Sequence, residues 1–357
     1  MDSSLRDSVA VGDRASTQET ALACRILDRG AEAVRVHALA GIVREIVAGT
    51  LPEVARDRNA ICHRALLAVR RGVTRPVIVK SPRLGPQRTN PDATFAGEAE
   101  ILAQLPTLGI DGAPELIARV VVNDTHFLFM SELPGKHPDP RKHPLDAPQL
   151  RAIVDTLQTM DRLGFMHYDL KAGNVLTDGA RAAFIDFEFA RVGAPWDAEV
   201  PGEASFGEDF NVANNPFVRA RSNVANFEFR CLHRYLVELE PAAPNAAESL
   251  FCEWLAAKAS YHARMARCLS GLAATHERRL ASLLDDAPAA VIRVERMLIA
   301  YRTAVFERDS RDAARARRAI RAVIDRHHGR GGALPRWYAE SVSRIADLVA
   351  RSTHPMS

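Results

Sequence analysis

Residues 167 to 188 read His-Tyr-Asp-Leu-Lys-Ala-Gly-Asn-Val-Leu-Thr-Asp-Gly-Ala-Arg-Ala-Ala-Phe-Ile-Asp-Phe-Glu, an order of polar and apolar residues that leaves the backbone few options. Asn174 leads into a short apolar strand, Thr177-Asp178-Gly179 turns the chain, and Ala182 to Phe187 return beside it. This hairpin brings Asp186 back to Asn174 and leaves Asp169 on the loop that enters it. An acid, an amide and a second acid so spaced suit phosphoryl transfer, where catalysis is mainly positioning and charge neutralisation. Asp169 is the candidate base, orienting a hydroxyl and accepting its proton. Asn174 and Asp186 offer one oxygen from each arm of the hairpin, a donor set for Mg²⁺.

His167, Asp169, Asn174, Asp186 and Phe187 together resemble the catalytic loop and metal-binding strand of the protein-kinase superfamily, His-x-Asp-x-x-x-x-Asn followed by Asp-Phe-Gly. The resemblance implies an ATP- and Mg²⁺-dependent phosphotransferase. It also implies an α+β, two-lobed protein-kinase-like fold, with a small β-rich N-lobe and a large, mostly helical C-lobe carrying helical extensions. His167 would be a buried supporting residue. Upstream, Pro76-Val-Ile-Val-Lys80 is an apolar strand ending in a lysine, similar to the strand whose ammonium holds the α and β phosphates. Its partner is expected from the helix that carries Phe95, Ile101, Leu102 and Leu105 on one face: Glu98, with Glu100 as the competitor. Residues 116–122 and 126–130 read as a hairpin running into Ser131-Glu-Leu-Pro-Gly135. By resemblance Met130 stands behind the nucleotide, and the Ser131 carbonyl and Leu133 amide face adenine. Lys171, two residues after Asp169, resembles the Asp-Leu-Lys lysine that meets the γ-phosphate. A helix capped by Asp146 and carrying Leu150, Ile153, Val154, Leu157 and Met160 on one side leads to His167.

Several features depart from the pattern. No Gly-x-Gly-x-x-Gly precedes Lys80; between Gly49 and Lys80 only Gly72 occurs. Ile61 to Val69 and Arg70-Arg-Gly-Val73 read instead as a strand and a turn into the lysine strand. Tyr168 stands where many regulated kinases carry arginine, and Glu188 replaces the glycine after Asp186-Phe187, removing its freedom at positive φ. Val200-Pro-Gly-Glu203 is a poor substitute for Ala-Pro-Glu. For the acceptor, Lys171 favours a protein serine or threonine, which ranks first. Glu188, Tyr168 and the missing docking motif favour a small molecule or a glycolipid sugar, of the choline, aminoglycoside or lipopolysaccharide kinase type. A silent pseudokinase scaffold is the alternative of another class; the missing glycine loop supports it and the intact Lys80, Glu98, Asp169, Asn174 and Asp186 oppose it.

The chain has 357 residues and a net charge of +3, long enough for two lobes and without the strong basic balance expected of a nucleic-acid partner. Arg315, Arg317, Arg318 and Arg321 are interleaved with aspartates and read as a solvated helix face. His137, His143, His327 and His328 lack metal-ligand spacing and read as surface residues, and Gly329 to Gly332 reads as a helix stop. Cys24, Cys62, Cys231, Cys252 and Cys268 are scattered, which suggests reduced thiols in the cytoplasm. No apolar run approaches a membrane span, and the polar N-terminus would also suit an exported effector. Four parts are expected: 1–50, a loose polar start and a helical preface from about 21; 51–131, the N-lobe; 132–240, the C-lobe with catalytic loop; and 241–357, helical. In the preface Leu22, Ile26, Ala33, Val36, Leu39, Ile42 and Ile46 recur at helical spacing; in the last part Leu250, Trp254, Leu255, Tyr261 and Met265 form one stripe and Val291, Val294, Met297, Leu298, Tyr301 and Val305 another.

Overall fold

The computed structural model describes residues 8–9, 24–26, 33–56, 60–70, 72–82, 91–122, 125–192, 205–206, 210–211, 222–307, 309–328 and 334–352. The fold is mixed α and β, an antiparallel sheet with a mostly helical remainder. The chain divides into two compact units, Met1–Leu133 and Pro134–Ser357.

Unit 1 is built on strands β1 (Ser8–Val9), β2 (Cys24–Ile26), β3 (Glu53–Arg56), β4 (Ala60–Arg70), β5 (Val73–Pro82), β6 (Leu116–Val122) and β7 (Thr125–Ser131), with helices α1 (Ala33–Val47) and α2 (Pro91–Leu108). The strand order is β1-β2-β6-β7-β5-β4-β3. Gly72, at φ 75°, turns β4 into β5, the hairpin expected in place of a glycine-rich loop. Strand alternation then sorts the two faces. Val77 and Val79 of β5 and Phe127 and Phe129 of β7 pack with Leu39 and Val43 of α1. Leu128, one residue out of phase, packs with Phe95 and Ala99 of α2. Lys80 pairs in register with Leu128, so the same alternation that buries Val79 under α1 turns Lys80 toward α2.

The preface departs from the expectation. Cys24–Ile26 is a strand paired with Val120–Val122, and Ser8–Val9 pairs with it in turn, so the helix begins only at Ala33. Edge pairing with β6 overrides the helical spacing of Ile26. Leu22, the Asn123-Asp124 turn, Val200–Glu203 and Gly329–Gly332 lie outside the described residues.

Unit 2 begins with α3 (Ala147–Arg162), capped by Asp146 in a capping box with Gln149. Strand β8 (Phe165–Met166), the hairpin β9 (Val175–Asp178) and β10 (Arg181–Phe184), and β11 (Arg191–Val192) follow, and β11 pairs back with β8. A further small pair, β12 (Ser205–Phe206) and β13 (Phe210–Asn211), precedes the helices. A continuous helical segment comprises α4 (Asn223–Phe227), a π turn (Glu228–Leu232) and α5 (His233–Leu239). Helices α6 (Pro244–Cys268), α7 (Gly271–Asp285), α8 (Ala289–Phe306), α9 (Ser310–His328) and α10 (Arg336–Ser352) complete the unit. The apolar stripe of α3 is fully buried and α3 packs on α6, whose Phe251, Trp254 and Leu255 are also buried. No helix among the described residues is long and apolar enough to cross a membrane.

Candidate active site

The segment from His167 to Asp186 folds as a loop closed by its own side chains. A 3₁₀ turn, Ala172–Asn174, carries the chain from Asp169 into β9, and β10 returns with Phe184 opposite Val175. The Ile185 amide donates to the Asn174 carbonyl at 3.0 Å, which sets Asp186 beside Asn174. The Asn174 amide nitrogen donates to the Asp169 carbonyl at 2.9 Å, to Asp169 Oδ2 at 2.8 Å and, more weakly, to Asp186 Oδ2 at 3.4 Å. Lys171 Nζ lies 2.9 Å from Asp169 Oδ2. Thus Asp169, Lys171, Asn174 and Asp186 meet in one cluster. Asp169 and Asn174 are buried, whereas the Lys171 side chain remains 46% exposed and has room to move.

The donor set suits a hard cation. Because the Asn174 nitrogen is committed to the Asp169 backbone carbonyl, the amide is fixed with its oxygen available as a ligand, next to the Asp186 carboxylate. Asp186 and Tyr168 are the two non-glycine residues at positive φ among the described residues, at 67° and 61°. Such backbone costs about 1–3 kcal/mol per residue and persists only where the surroundings impose it.

Of these surroundings, a buried, supporting His167 is what the resemblance implies, whereas Asn223 and Arg230 are not part of that pattern. His167 is fully buried, against Phe187 and Phe184. Its Nε2 is 3.1 Å from the Ile185 carbonyl and its Nδ1 is 3.4 Å from the Asp169 amide. These partners select the neutral tautomer with the proton on Nε2. Burial pushes its pKa down to about 4, against the pull of Asp169 and Asp186. The imidazole therefore ties the Asp169 loop to the Asp186 strand as a neutral strut. The His167 amide in turn donates to Asn223 Oδ1 at 2.9 Å, and Asn223 Nδ2 donates to Asp161 Oδ1 at 2.7 Å and to the Phe165 carbonyl at 2.7 Å. Asp161 also accepts from the Asn223 amide at 2.8 Å and from Tyr261 at 3.0 Å. Burial pushes the Asp161 carboxyl up to about 7 despite these donors.

A second support is Arg230, on the π turn. Its guanidinium donates to the Tyr168 carbonyl and pairs with Asp169 Oδ1. Tyr168 occupies the place where the kinase pattern has arginine, and here a cation reaches Asp169 from 61 residues downstream. Asp161 had a readable signal, an acid on the apolar stripe of α3, four residues after Leu157. Asn223 and Arg230 had none, since only tertiary folding brings them to the loop.

In unit 1, Lys80 Nζ is 2.7 Å from Glu98 Oε2, with side-chain exposures of 3% and 1%, and sits 5.5 Å from the Phe95 ring centre. Glu100 is exposed. Met130 is buried on β7. The Ser131 amide donates to the Glu115 carbonyl at 2.9 Å and its hydroxyl accepts from the Glu115 amide at 2.9 Å, which fixes the end of β7 just before Leu133.

Residues 151–196, which take in most of α3, the loop through Asp169 and the strand leading to Asp186, match the model of the phosphotransferase enzyme family. No individual curated protein matches the chain. The match supports a kinase-like phosphotransferase.

Proposed function

We propose that the chain is an ATP- and Mg²⁺-dependent phosphotransferase that moves the γ-phosphoryl group of ATP to a hydroxyl. What carries the reading is the cluster in which Asn174 donates to both Asp169 and Asp186 while Lys171 meets Asp169, inside the segment that matches the phosphotransferase family. Asp169 is the base: the acceptor oxygen attacks the γ-phosphorus, its proton passes to the Asp169 carboxylate, and the bond to the bridging oxygen breaks to release ADP. Lys171, half exposed, turns from Asp169 to the transferred group. Asn174 and Asp186 would hold Mg²⁺, which supplies charge neutralisation on the phosphate oxygens. Lys80, fixed by Glu98, is assigned to the α and β phosphates, and Met130, Ser131 and Leu133 to adenine.

A protein serine or threonine is the first acceptor, on the strength of Lys171 beside Asp169. A small-molecule hydroxyl is the second, favoured by Glu188 after Asp186-Phe187 and by Tyr168 beside Asp169. The test is incubation with Mg²⁺ and γ-labelled ATP, alone and with lysate, beside Asp169→Ala and Asp186→Ala. Loss of the base should slow transfer about 10²- to 10⁴-fold, and a loss below about tenfold in a folded variant removes Asp169 from that role. Label on protein supports the first acceptor and label confined to small molecules the second. Nucleotide binding without any transfer returns the pseudokinase reading.

A further inference from the structure

We propose that Arg230 is the positioning residue of the Asp169 carboxylate, delivered by the π turn Glu228–Leu232 from an anchored base in the helical core. The inference rests on the phosphotransferase reading.

The first observation is where the two ends of the guanidinium go. One donates to the carbonyl of Tyr168 and the other meets Oδ1 of Asp169, so a single planar fork holds two consecutive residues of the loop. Tyr168 is at φ 61°, a conformation that a non-glycine residue keeps only under outside constraint. Tying Oδ1 to Arg230 fixes the rotation of the carboxylate and leaves Oδ2 facing Lys171 and Asn174. An ammonium on a flexible stem cannot span both positions with the same geometry.

The second observation is the anchoring of the turn. Glu228, two residues before Arg230 and therefore on a different side of the helix, is fully buried. It accepts from Trp254 Nε1 at 2.9 Å and pairs with Lys258 at 2.7 Å and Arg302 at 3.2 Å. Lys258 continues to Glu295 at 2.9 Å, which accepts from Tyr338 at 2.6 Å. Burial opposes the charge on Lys258, yet Glu228 and Glu295 together outweigh it and raise its pKa. The turn is thus fixed on one side by a buried ionic cluster and presents Arg230 on another. π turns inside α-helices cluster at functional sites, and this one changes the helical register between the anchor and the arginine.

The third observation is cost. The Arg230 side chain is 9% exposed and stacks 4.9 Å above the Phe306 ring centre. Burial lowers its pKa, with Asp169 opposing that shift. A buried ion pair is rarely better for stability than apolar residues of the same volume, so a guanidinium placed on the candidate base is better explained by what it does to that base.

The test uses the full chain and Mg²⁺-ATP, with water or lysate as acceptor, and compares wild type, Arg230→Ala, Arg230→Lys and Asp169→Ala. A misplacement of about 1 Å costs about 100-fold in rate, so Arg230→Ala should lose kcat by about that factor with the affinity for a fluorescent ATP analogue changed less than about twofold. Millimolar guanidinium should restore part of the lost rate in Arg230→Ala and none in Asp169→Ala, and Arg230→Lys should stay closer to alanine than to wild type. A merely structural arginine would not give this split between kcat and ATP binding, nor the chemical rescue. Arg230→Ala turning over within about threefold of wild type, or losing ATP binding in step with kcat without rescue, overturns the inference. Wild type turning over no faster than Asp169→Ala overturns the phosphotransferase reading itself, and the role of Arg230 with it.

Discussion

Replacing Asp161 with asparagine should change how the stability of unit 2 depends on pH, by an amount that follows from burial. In the folded protein the carboxyl titrates near 7 against an ordinary value of 3.8. Its folded pKa is raised, so the folded state holds a proton that the unfolded state has already released. Its contribution is therefore fully present below pH 3.8 and is lost as pH rises to about 7. At about 1.4 kcal/mol per pH unit, the loss comes to about 4 kcal/mol. Asparagine mimics the protonated acid in shape: its oxygen can accept from Asn223 and its nitrogen can donate to Tyr261 or Ser222, whose hydroxyls lie 3.4 Å apart and can also bond each other. His167 runs the opposite way, because a pKa lowered to about 4 gives a contribution lost as pH falls from 6.5 toward 4. The wild-type curve alone mixes the two. The readout is thus the difference in urea-unfolding free energy between Asp161→Asn and wild type, in which the other titrations cancel. All three tryptophans, Trp196, Trp254 and Trp337, follow Pro134, so intrinsic fluorescence reports unit 2. The variant should gain about 4 kcal/mol relative to wild type between pH 4 and pH 7.5. A difference that stays flat across that range would refute the reasoning, since it would mean Asp161 ionises in the folded protein as easily as in water.

Two further perturbations follow from packing. Glu98→Ala withdraws the carboxylate from an ammonium that is 3% exposed, and should destabilise unit 1 by about 3 to 5 kcal/mol; amide exchange in β5 and α2 should speed up accordingly, and a Lys80→Met, Glu98→Leu double variant should recover most of the loss. Gly135 sits at φ +118°, where an added Cβ would lie 2.9 Å from the Thr177 carbonyl oxygen, so Gly135→Ala should cost about 1–3 kcal/mol in tryptophan-monitored unfolding; an unchanged midpoint would mean the Lys136–Thr177 bridge yields freely.

What the sequence made legible was whatever local order decides. The hairpin from Asn174 to Asp186 is specified by adjacent apolar residues around a Thr-Asp-Gly turn, and its register follows from that turn. Lys80 facing α2 follows from strand alternation, and the cap of α3 from Asp146. Strand β3 was not legible because all four of its residues are exposed, leaving no apolar alternation to read. Cys24–Ile26 was misread because three residues carry too little periodicity to outweigh an available sheet edge.

The loop that carries Asp169 is less determined by local order. Tyr168 and Asp186 take backbone conformations their own side chains disfavour, so the motif alone does not determine its shape. Both supports come from one downstream segment: Asn223 holds the His167 amide across 56 residues and Arg230 holds the Tyr168 carbonyl across 62. Asn223 is fixed by Asp161 and Glu228 by Lys258 and Arg302, which places the origin of the constraint in the cores of α3, α6 and α8. Since interiors packed with satisfied polar groups resist small displacements, substitutions in these cores should alter turnover before they abolish the fold. The residues that set the geometry of Asp169 are therefore to be sought along α3, α6 and α8 as much as in the loop that carries the recognisable pattern.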